Sequence, residues 1–312
     1  MTTTCSAPGK IYLFGEHAVV YGKRAIASAI NLRTTATVAE SDQTTISSIL
    51  GTTGIDYMVH PYISRCIESL AVPAVSIRID SEIPVGSGLG SSAAAVIATL
   101  GALNAEFRLM MDSATLAEVG HRIERDVQGA ASPTDTTVST VGGTMLVTPG
   151  VSSSRLRLIE CGIVIGDTEE FSSTKELVGN VRILHETYPG IMDSIFDTID
   201  NLSEIGVPLI ERGDYRSVGE LMNIDHGLLD AIGVGSAKLS RLVHAARDAG
   251  AYGAKITGAG GGGCIVALVR GPGADGGGAD AVASAIGDAG GRAIITKASE
   301  EGVVVRETFR SP

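Results

Sequence analysis

Four cysteines in 312 residues, Cys5, Cys66, Cys161 and Cys264, have neither the spacing of a metal knuckle nor the framework of a disulfide scaffold. Both are therefore excluded, and the thiols are expected as small buried hydrophobes in a reduced compartment. Basic residues are also short: 24 Lys and Arg against 35 Asp and Glu leave a formal charge of −11, so a nucleic-acid partner has no electrostatic support. An anionic ligand must be met by local groups instead of the field of the whole protein. No apolar segment reaches the length of a membrane span, and residues 1–6 lack the basic start and apolar stretch of a signal peptide. No membrane partner and a cytoplasmic location are expected. No solenoid period recurs, and no G-x-x-x-x-G-K-[ST] occurs to support a Walker-type kinase. What remains is a 44% hydrophobic chain with mean hydropathy +0.25, enough to bury one large or two medium cores.

Glycine, with 40 residues, is abundant. Residues 84–95 read Pro-Val-Gly-Ser-Gly-Leu-Gly-Ser-Ser-Ala-Ala-Ala. Gly86, Gly88 and Gly90 let the backbone approach a ligand closely, and a helix opening near Ser91 turns free N–H groups and its positive dipole end toward the loop. That combination suits phosphate. Gly88-Leu89-Gly90-Ser91-Ser92-Ala93 also fits the dinucleotide pattern G-x-G-x-x-A, after a possible strand at 75–79 and with Glu106 downstream. Pro84 between strand and glycines, the paired hydroxyls of Ser91 and Ser92, and a second glycine block far downstream weigh against that reading. A metal–triphosphate complex can use a hydroxyl on the cation, whereas a dinucleotide loop has no need of one.

Three further blocks carry chemistry. Lys10 stands before, and Glu16 and His17 after, a short expected strand at 11–14, so their charges sit at the ends of a rigid element. Leu116, Val119, Ile123 and Val127 recur at helical spacing as a core stripe. Glu124 lies about a quarter turn from it, on a strip with Ala117, Gly120 and Gln128 where small neighbours allow another backbone to come close. Asp135 follows in an expected hydroxyl-rich loop. One carboxylate on a helix and one in the loop after it suit separate tasks, holding a cation and handling a proton. Finally, Gly260–Gly263 interrupt residues 254–268 just before a strand-like run, where consecutive glycines cost folding entropy and imply a close approach to their backbone.

The order of these four blocks resembles the GHMP small-molecule kinases, and within them the archaeal-type mevalonate kinases, over essentially the whole chain. Pro-x-x-x-Gly-Leu-Gly-Ser-Ser-Ala-Ala at 84–94 and Lys-x-x-Gly-Ala-Gly-x-Gly-Gly at 255–263 mark the superfamily. Ala-Pro-Gly-Lys-x-x-Leu-x-Gly-Glu-His-Ala-Val-Val-Tyr-Gly at 7–22 points to the mevalonate kinases, since galactokinases follow Gly-Glu-His with Thr-Asp. Ser-Ser-Thr-Lys-Glu-Leu-Val at 172–178 resembles the family's segment near mevalonate, and equally reads as a helix cap. One departure stands out: Ala131-Ser132-Pro133-Thr134 replaces the commoner Asn-Pro-Ser-Gly before the aspartate.

The resemblance implies ATP-dependent phosphorylation of the C5 hydroxyl of mevalonate, with Mg²⁺ as cofactor, ATP and mevalonate as ligands, and a homodimer. It makes Asp135 the base and Lys10 the charge neutraliser. Pro84, Gly86, Ser87, Gly88, Leu89, Gly90, Ser91, Ser92 and Ala93 become the triphosphate loop, and Ser91 or Ser92 with Glu124 the metal site. Glu16, His17 and Thr174 are expected near mevalonate, and Gly258, Ala259, Gly260 and Gly261 as a closing loop. The implied architecture is α+β, a two-domain GHMP kinase fold: a ribosomal protein S5 domain 2-like N-terminal domain (1–155), an α+β C-terminal domain (156–312), and an active site in the cleft. The periodicities predict strands at 10–14, 34–40, 75–79, 144–147, 162–165, 264–269, 292–296 and 302–307, and helices at 57–70, 91–103, 174–186, 191–205, 215–225, 237–249 and 279–288, with a loop at 271–278. A sibling kinase acting on phosphomevalonate, another mevalonate hydroxyl or a sugar, a nucleotide-binding regulator without turnover, and a nicotinamide oxidoreductase remain as alternatives.

Overall fold

The computed structural model describes residues 2–129, 131–151, 153–271 and 278–309. Its chain order is β1 (Thr2–Phe14), a 3-10 turn (Ala18–Tyr21), β2 (Ala25–Glu40), β3 (Thr45–Ser48), β4 (Gly51–Thr53), α1 (Pro61–Leu70), β5 (Val75–Ser81), α2 (Ser91–Phe107), α3 (Ser113–Gln128), α4 (Pro133–Val141), β6 (Thr144–Val147) and β7 (Ser153–Leu156). There follow β8 (Gly162–Asp167), α5 (Thr174–Thr187), α6 (Pro189–Glu211), α7 (Tyr215–Ala231), α8 (Ala237–Asp248), β9 (Gly253–Thr257), β10 (Cys264–Val269), α9 (Gly278–Asp288), β11 (Arg292–Thr296) and β12 (Val304–Phe309).

The first sheet runs β12-β1-β2-β5-β3-β4, with β6 branching from β2 to β7. The second is antiparallel, β11-β8-β10-β9. The last strand, although it belongs to the 156–312 stretch, completes the first sheet by pairing with β1. Ile11, Leu13, Phe14 and Ile26 of the first sheet share one hydrophobic cluster with Ile163, Ile165, Leu202, Met222, Val266 and Leu268, so the two halves are welded through a common core. No helix among the described residues is long and apolar enough to cross a membrane.

Helix α2 gives the glycine loop before it a rigid seat. Its alanines and aliphatics are buried all round, including Ala93, Ala94, Val96, Ile97, Ala98 and Leu100, which is the pattern of a helix enclosed by other elements instead of lying on a surface. Leu116, Val119 and Ile123 of α3 pack into the same core, as the sequence periodicity requires.

Several expectations change. Lys10 does not precede a strand; it lies within β1, which begins at Thr2 because pairing with both β2 and β12 extends it beyond the apolar run. The register on β2 shifts between Pro8 and Lys10 and again between Tyr12 and Phe14, and such bulges re-aim side chains beside functional sites. Asp135 is not in a loop. Ser132 caps α4 by accepting from the Thr134 N–H and Pro133 supplies the first turn, so Asp135 stands in a helical first turn that a threonine-rich sequence disguised. The segment before the late glycines is the strand β9, and residues 272–277 of the expected loop lie outside the described residues.

Candidate active site

The loop joining β5 to α2 has all three alternating glycines in the left-handed region, Gly86 at φ +68°, Gly88 at +77° and Gly90 at +74°. Gly90 is the N-cap and makes no side-chain cap bond; the Ala94 N–H returns to its carbonyl at 2.9 Å. The N–H groups of Ser91, Ser92 and Ala93 thus open the helix without a capping side chain, the arrangement that receives anions. Ser87 Oγ is used inside the loop, donating to the Pro84 carbonyl at 2.7 Å, and the Leu89 side chain is buried in the core.

Strand β1 holds this loop from beneath. The Lys10 N–H donates to the Leu89 carbonyl at 2.8 Å and its Nζ to the Gly88 carbonyl at 2.9 Å. Its stem occupies the space a side chain at position 90 would need, 3.0 Å from a Cβ built there. The same Nζ is 3.3 Å from Asp135 Oδ2, and only 2% of the lysine side chain is exposed against 26% of the aspartate's. The other oxygen, Oδ1, accepts from the Tyr12 hydroxyl at 3.0 Å, and Lys10 Nζ sits 4.2 Å from the centre of the Tyr12 ring. Burial first, and the Asp135 charge second, push the Tyr12 phenol well above its ordinary range, so it remains a donor. Sequence reasoning missed Tyr12, although its two-residue spacing from Lys10 on a strand was a usable signal.

Of the two helix-opening serines, it is Ser92 whose hydroxyl reaches Glu124, donating to Oε1 at 2.8 Å. Glu124 is 3% exposed, so the strip of small neighbours does admit other elements against it. Gly120, one turn earlier on α3, explains the approach: a Cβ there would lie 2.6 Å from Ile97 of α2 and 3.4 Å from Thr136 of α4. Burial, reinforced by the charge of Asp135, pushes the Glu124 carboxyl up to about 8, against the opposing Ser92 bond and Lys10. A hydroxyl and a carboxylate are oxygen donors of the kind a hard divalent cation takes. Among the described residues no three His, Cys, Asp or Glu side chains gather to hold a metal, so a cation here needs phosphate oxygens and water to complete its shell.

The late glycines meet the loop of Gly86, Gly88 and Gly90 backbone to backbone. A Cβ on Gly258, at φ +86°, would lie 2.6 Å from Gly88 Cα; one on Gly88 would lie 2.5 Å from the Thr257 carbonyl oxygen; one on Gly263 would lie 2.8 Å from that of Ser87. Gly260 abuts the Val234 carbonyl and Gly261 abuts Leu177 of α5. The close approach inferred from the glycine run is therefore met by the protein's own chain.

Glu16 and His17 tie this second loop to β1. The His17 ring pairs with the Ala259 carbonyl at 2.9 Å from a backbone at φ +61°, a rare conformation for a residue with a side chain. Burial lowers its titration below the ordinary range. Glu16, 2% exposed, forms an ion pair with Lys255 Nζ, which is also 3.2 Å from Asp225 Oδ2. Lys255 and Asp225 are fully buried, and burial raises the Asp225 carboxyl to about 7. Tyr12 N–H adds a third tie, donating to Thr257 Oγ1 at 2.8 Å. The Glu16 charge is thus matched inside the protein. Thr174 is exposed at the start of α5, where Ser173 caps the helix by accepting from the Glu176 N–H; the nearby Phe171 ring lies over Gly86.

Residues 59–143 match the GHMP kinases N terminal domain and residues 207–292 the GHMP kinases C terminal. The mevalonate kinase of Pyrococcus abyssi is 43% identical over 332 aligned residues, covering 97% of each chain. The crystal structure of the Methanococcus jannaschii mevalonate kinase superposes with a TM-score of 0.80 at 27% identity, covering 95% of this chain and 98% of that one. The L. major mevalonate kinase in complex with R-mevalonate has the same fold, with a TM-score of 0.81 at 23% identity over 95% of this chain and 96% of that one.

Proposed function

The chain belongs to the mevalonate kinases of the GHMP kinase family, and from that premise we propose how its residues carry out the reaction. The enzyme transfers the γ-phosphoryl group of ATP to the C5 hydroxyl of (R)-mevalonate, giving 5-phosphomevalonate and ADP for isoprenoid synthesis. The hydroxyl oxygen forms the new bond to phosphorus, the bond to the β–γ bridging oxygen breaks, and the hydroxyl proton goes to Asp135.

The observation that carries this assignment is Lys10 Nζ lying between the Gly88 carbonyl of the phosphate loop and Asp135 Oδ2, because a cation there faces both the transferring group and the base. Phosphoryl transfer is catalysed chiefly by positioning and electrostatics, so Lys10 counts at least as much as the proton acceptor. The free N–H groups at the start of α2, with Gly86, Gly88 and Gly90, receive the phosphates. Ser92 and Glu124, with Ser91 adjacent, would hold Mg²⁺, which would supply neutralisation of phosphate charge when the nucleotide is bound. Glu16 and His17 act from beneath the mevalonate side by fixing the second glycine loop; Thr174, exposed at the start of α5, is assigned to mevalonate by the family likeness alone. A homodimeric state and a cytoplasmic location belong to the same reading, and sedimentation and cell fractionation test them.

The deciding assay is ADP release in Mg²⁺-ATP with mevalonate, phosphomevalonate, galactose and homoserine in parallel. Mevalonate is expected to give by far the highest kcat/KM. Preference for a phosphorylated or sugar substrate overturns the substrate while leaving the kinase class.

A further inference from the structure

Tyr12 has no task in the reading above, yet it is 5% exposed and its polar end points into the site. Its hydroxyl donates to Asp135 Oδ1 at 3.0 Å, and the hydroxyls of Ser132 and Thr134 lie just before that aspartate in the chain. Those two hydroxyls are themselves 2.8 Å apart. They come from Ala131-Ser132-Pro133-Thr134, the stretch in which this chain departs from the commoner Asn-Pro-Ser-Gly. The departure and the tyrosine therefore both adjoin Asp135, one along the chain and one across the fold.

The terminal torsion of an aspartate is broad and roughly two-fold, so a single partner does not fix the plane of its carboxylate. Lys10 Nζ, 3.3 Å from Oδ2, supplies one partner, but an ammonium is a rotatable donor without directional rigidity. A second donor on Oδ1, mounted on a buried ring whose own backbone N–H is pinned to Thr257 Oγ1, removes that freedom. The dipole of α4 also favours the carboxylate in its first turn without selecting its rotation.

We propose that Tyr12 is a positioning residue for Asp135: its hydroxyl, on a ring held by the buried strand β1, locks the carboxylate so that Oδ2 keeps its place beside Lys10 and the substrate hydroxyl. This rests on the assignment of Asp135 as proton acceptor. The tyrosine moves no proton to the substrate; it sets the orientation of the group that does.

Tyr12→Phe tests this, because the ring and its packing remain. A hydrogen bond to a charged group is lost, so kcat for mevalonate phosphorylation is expected to fall roughly 10- to 100-fold while the KM for ATP stays within about twofold. Incorporating 3-fluorotyrosine at position 12, which restores the hydroxyl on the same ring, is expected to restore kcat. In an Asp135→Ala background, Tyr12→Phe is expected to have almost no effect in single-turnover measurements, since its target is gone. An unchanged kcat in Tyr12→Phe, an equal loss in the Asp135→Ala background, or a loss confined to KM overturns the proposal. Failure of the wild-type enzyme to phosphorylate mevalonate instead overturns the reading beneath it, so the two failures are distinguishable.

Discussion

Replacing Gly258 by alanine places a methyl group 2.6 Å from Gly88 Cα and 2.7 Å from the Gly88 carbonyl oxygen, both backbone atoms that cannot swing aside. The residue must also keep φ +86°, a strain of about 1–2 kcal/mol for a side-chain-bearing residue. Gly290 is the control: at φ +87° it carries the same backbone strain, but nothing lies within 4 Å of its built Cβ. The difference between Gly258→Ala and Gly290→Ala therefore isolates the contact between the two glycine loops. Overpacking of this kind costs about 1–3 kcal/mol. At about 2.1 cal/mol/K per residue the unfolding entropy of 312 residues is about 0.65 kcal/mol/K, so Gly258→Ala should melt about 1.5–5 °C below Gly290→Ala. Function should separate the pair more sharply. Displacing Gly88 also displaces the carbonyl that holds Lys10 Nζ, so Gly258→Ala should raise the KM for ATP and lower kcat while Gly290→Ala leaves both intact. Calorimetry and initial-rate kinetics on both variants decide it. Equal melting temperatures and equal rates would mean that the loops give way freely, and that their close packing does not support the phosphate site.

Lys10 and Asp135 should behave as one unit. At 3.3 Å their attraction is about 5 kcal/mol at an effective dielectric of about 20 and about 1.3 kcal/mol in bulk water, and the partial exposure of Asp135 puts the pair between these limits. Lys10→Met with Asp135→Asn should then lose clearly less kcat than the product of the single losses, whereas strictly multiplicative losses in single-turnover kinetics would separate the residues. Glu124→Gln should raise the Mg²⁺ concentration needed for half-maximal rate, and an unchanged Mg²⁺ titration would remove Glu124 from the metal site. Because burial raises the Glu124 carboxyl to about 8, above its value in the unfolded chain, its contribution to stability is present in acid and lost as pH rises through about 8. Asp225, at about 7, acts in the same direction. Urea unfolding of the metal-free protein should thus show lower stability at pH 8.5 than at pH 5.5, with a smaller drop in Glu124→Gln; an identical drop would contradict the assignment. Lys255→Met should destabilise by about 3–5 kcal/mol, since it leaves Glu16 and Asp225 buried without their cation, and adding Glu16→Gln should recover part of the loss in the same unfolding assay.

The pieces of the site legible from local sequence were those whose chemistry depends on neighbours along the chain. Three alternating glycines followed by a helix-forming run specify positive φ angles and an open helix start with no help from the rest of the protein. The stripe of Leu116, Val119 and Ile123 likewise announces a helix with one buried face. Asp135 was placed in a loop because threonine and serine weaken helix propensity, and a serine cap plus a first-turn proline outweighed that locally. How deeply Glu124 is buried, by contrast, is not a local property. The approach of α2 across Gly120 made it a buried partner of Ser92.

By itself, then, the sequence determined the family and the local shape of the glycine loop with its open helix start, since motif spacing and backbone permissiveness are written residue by residue. Tertiary structure alone decided which groups share a site. Lys10 meets Asp135 across 125 positions and Gly88 meets Gly258 across 170, distances in sequence over which no periodicity or propensity carries information. It also decided that Glu16 pairs with Lys255 and that the Tyr12 hydroxyl donates to Asp135. Both outcomes follow from desolvation: a charge or hydroxyl withdrawn from water must find its partner in three dimensions, and the chain names that partner only once it has folded.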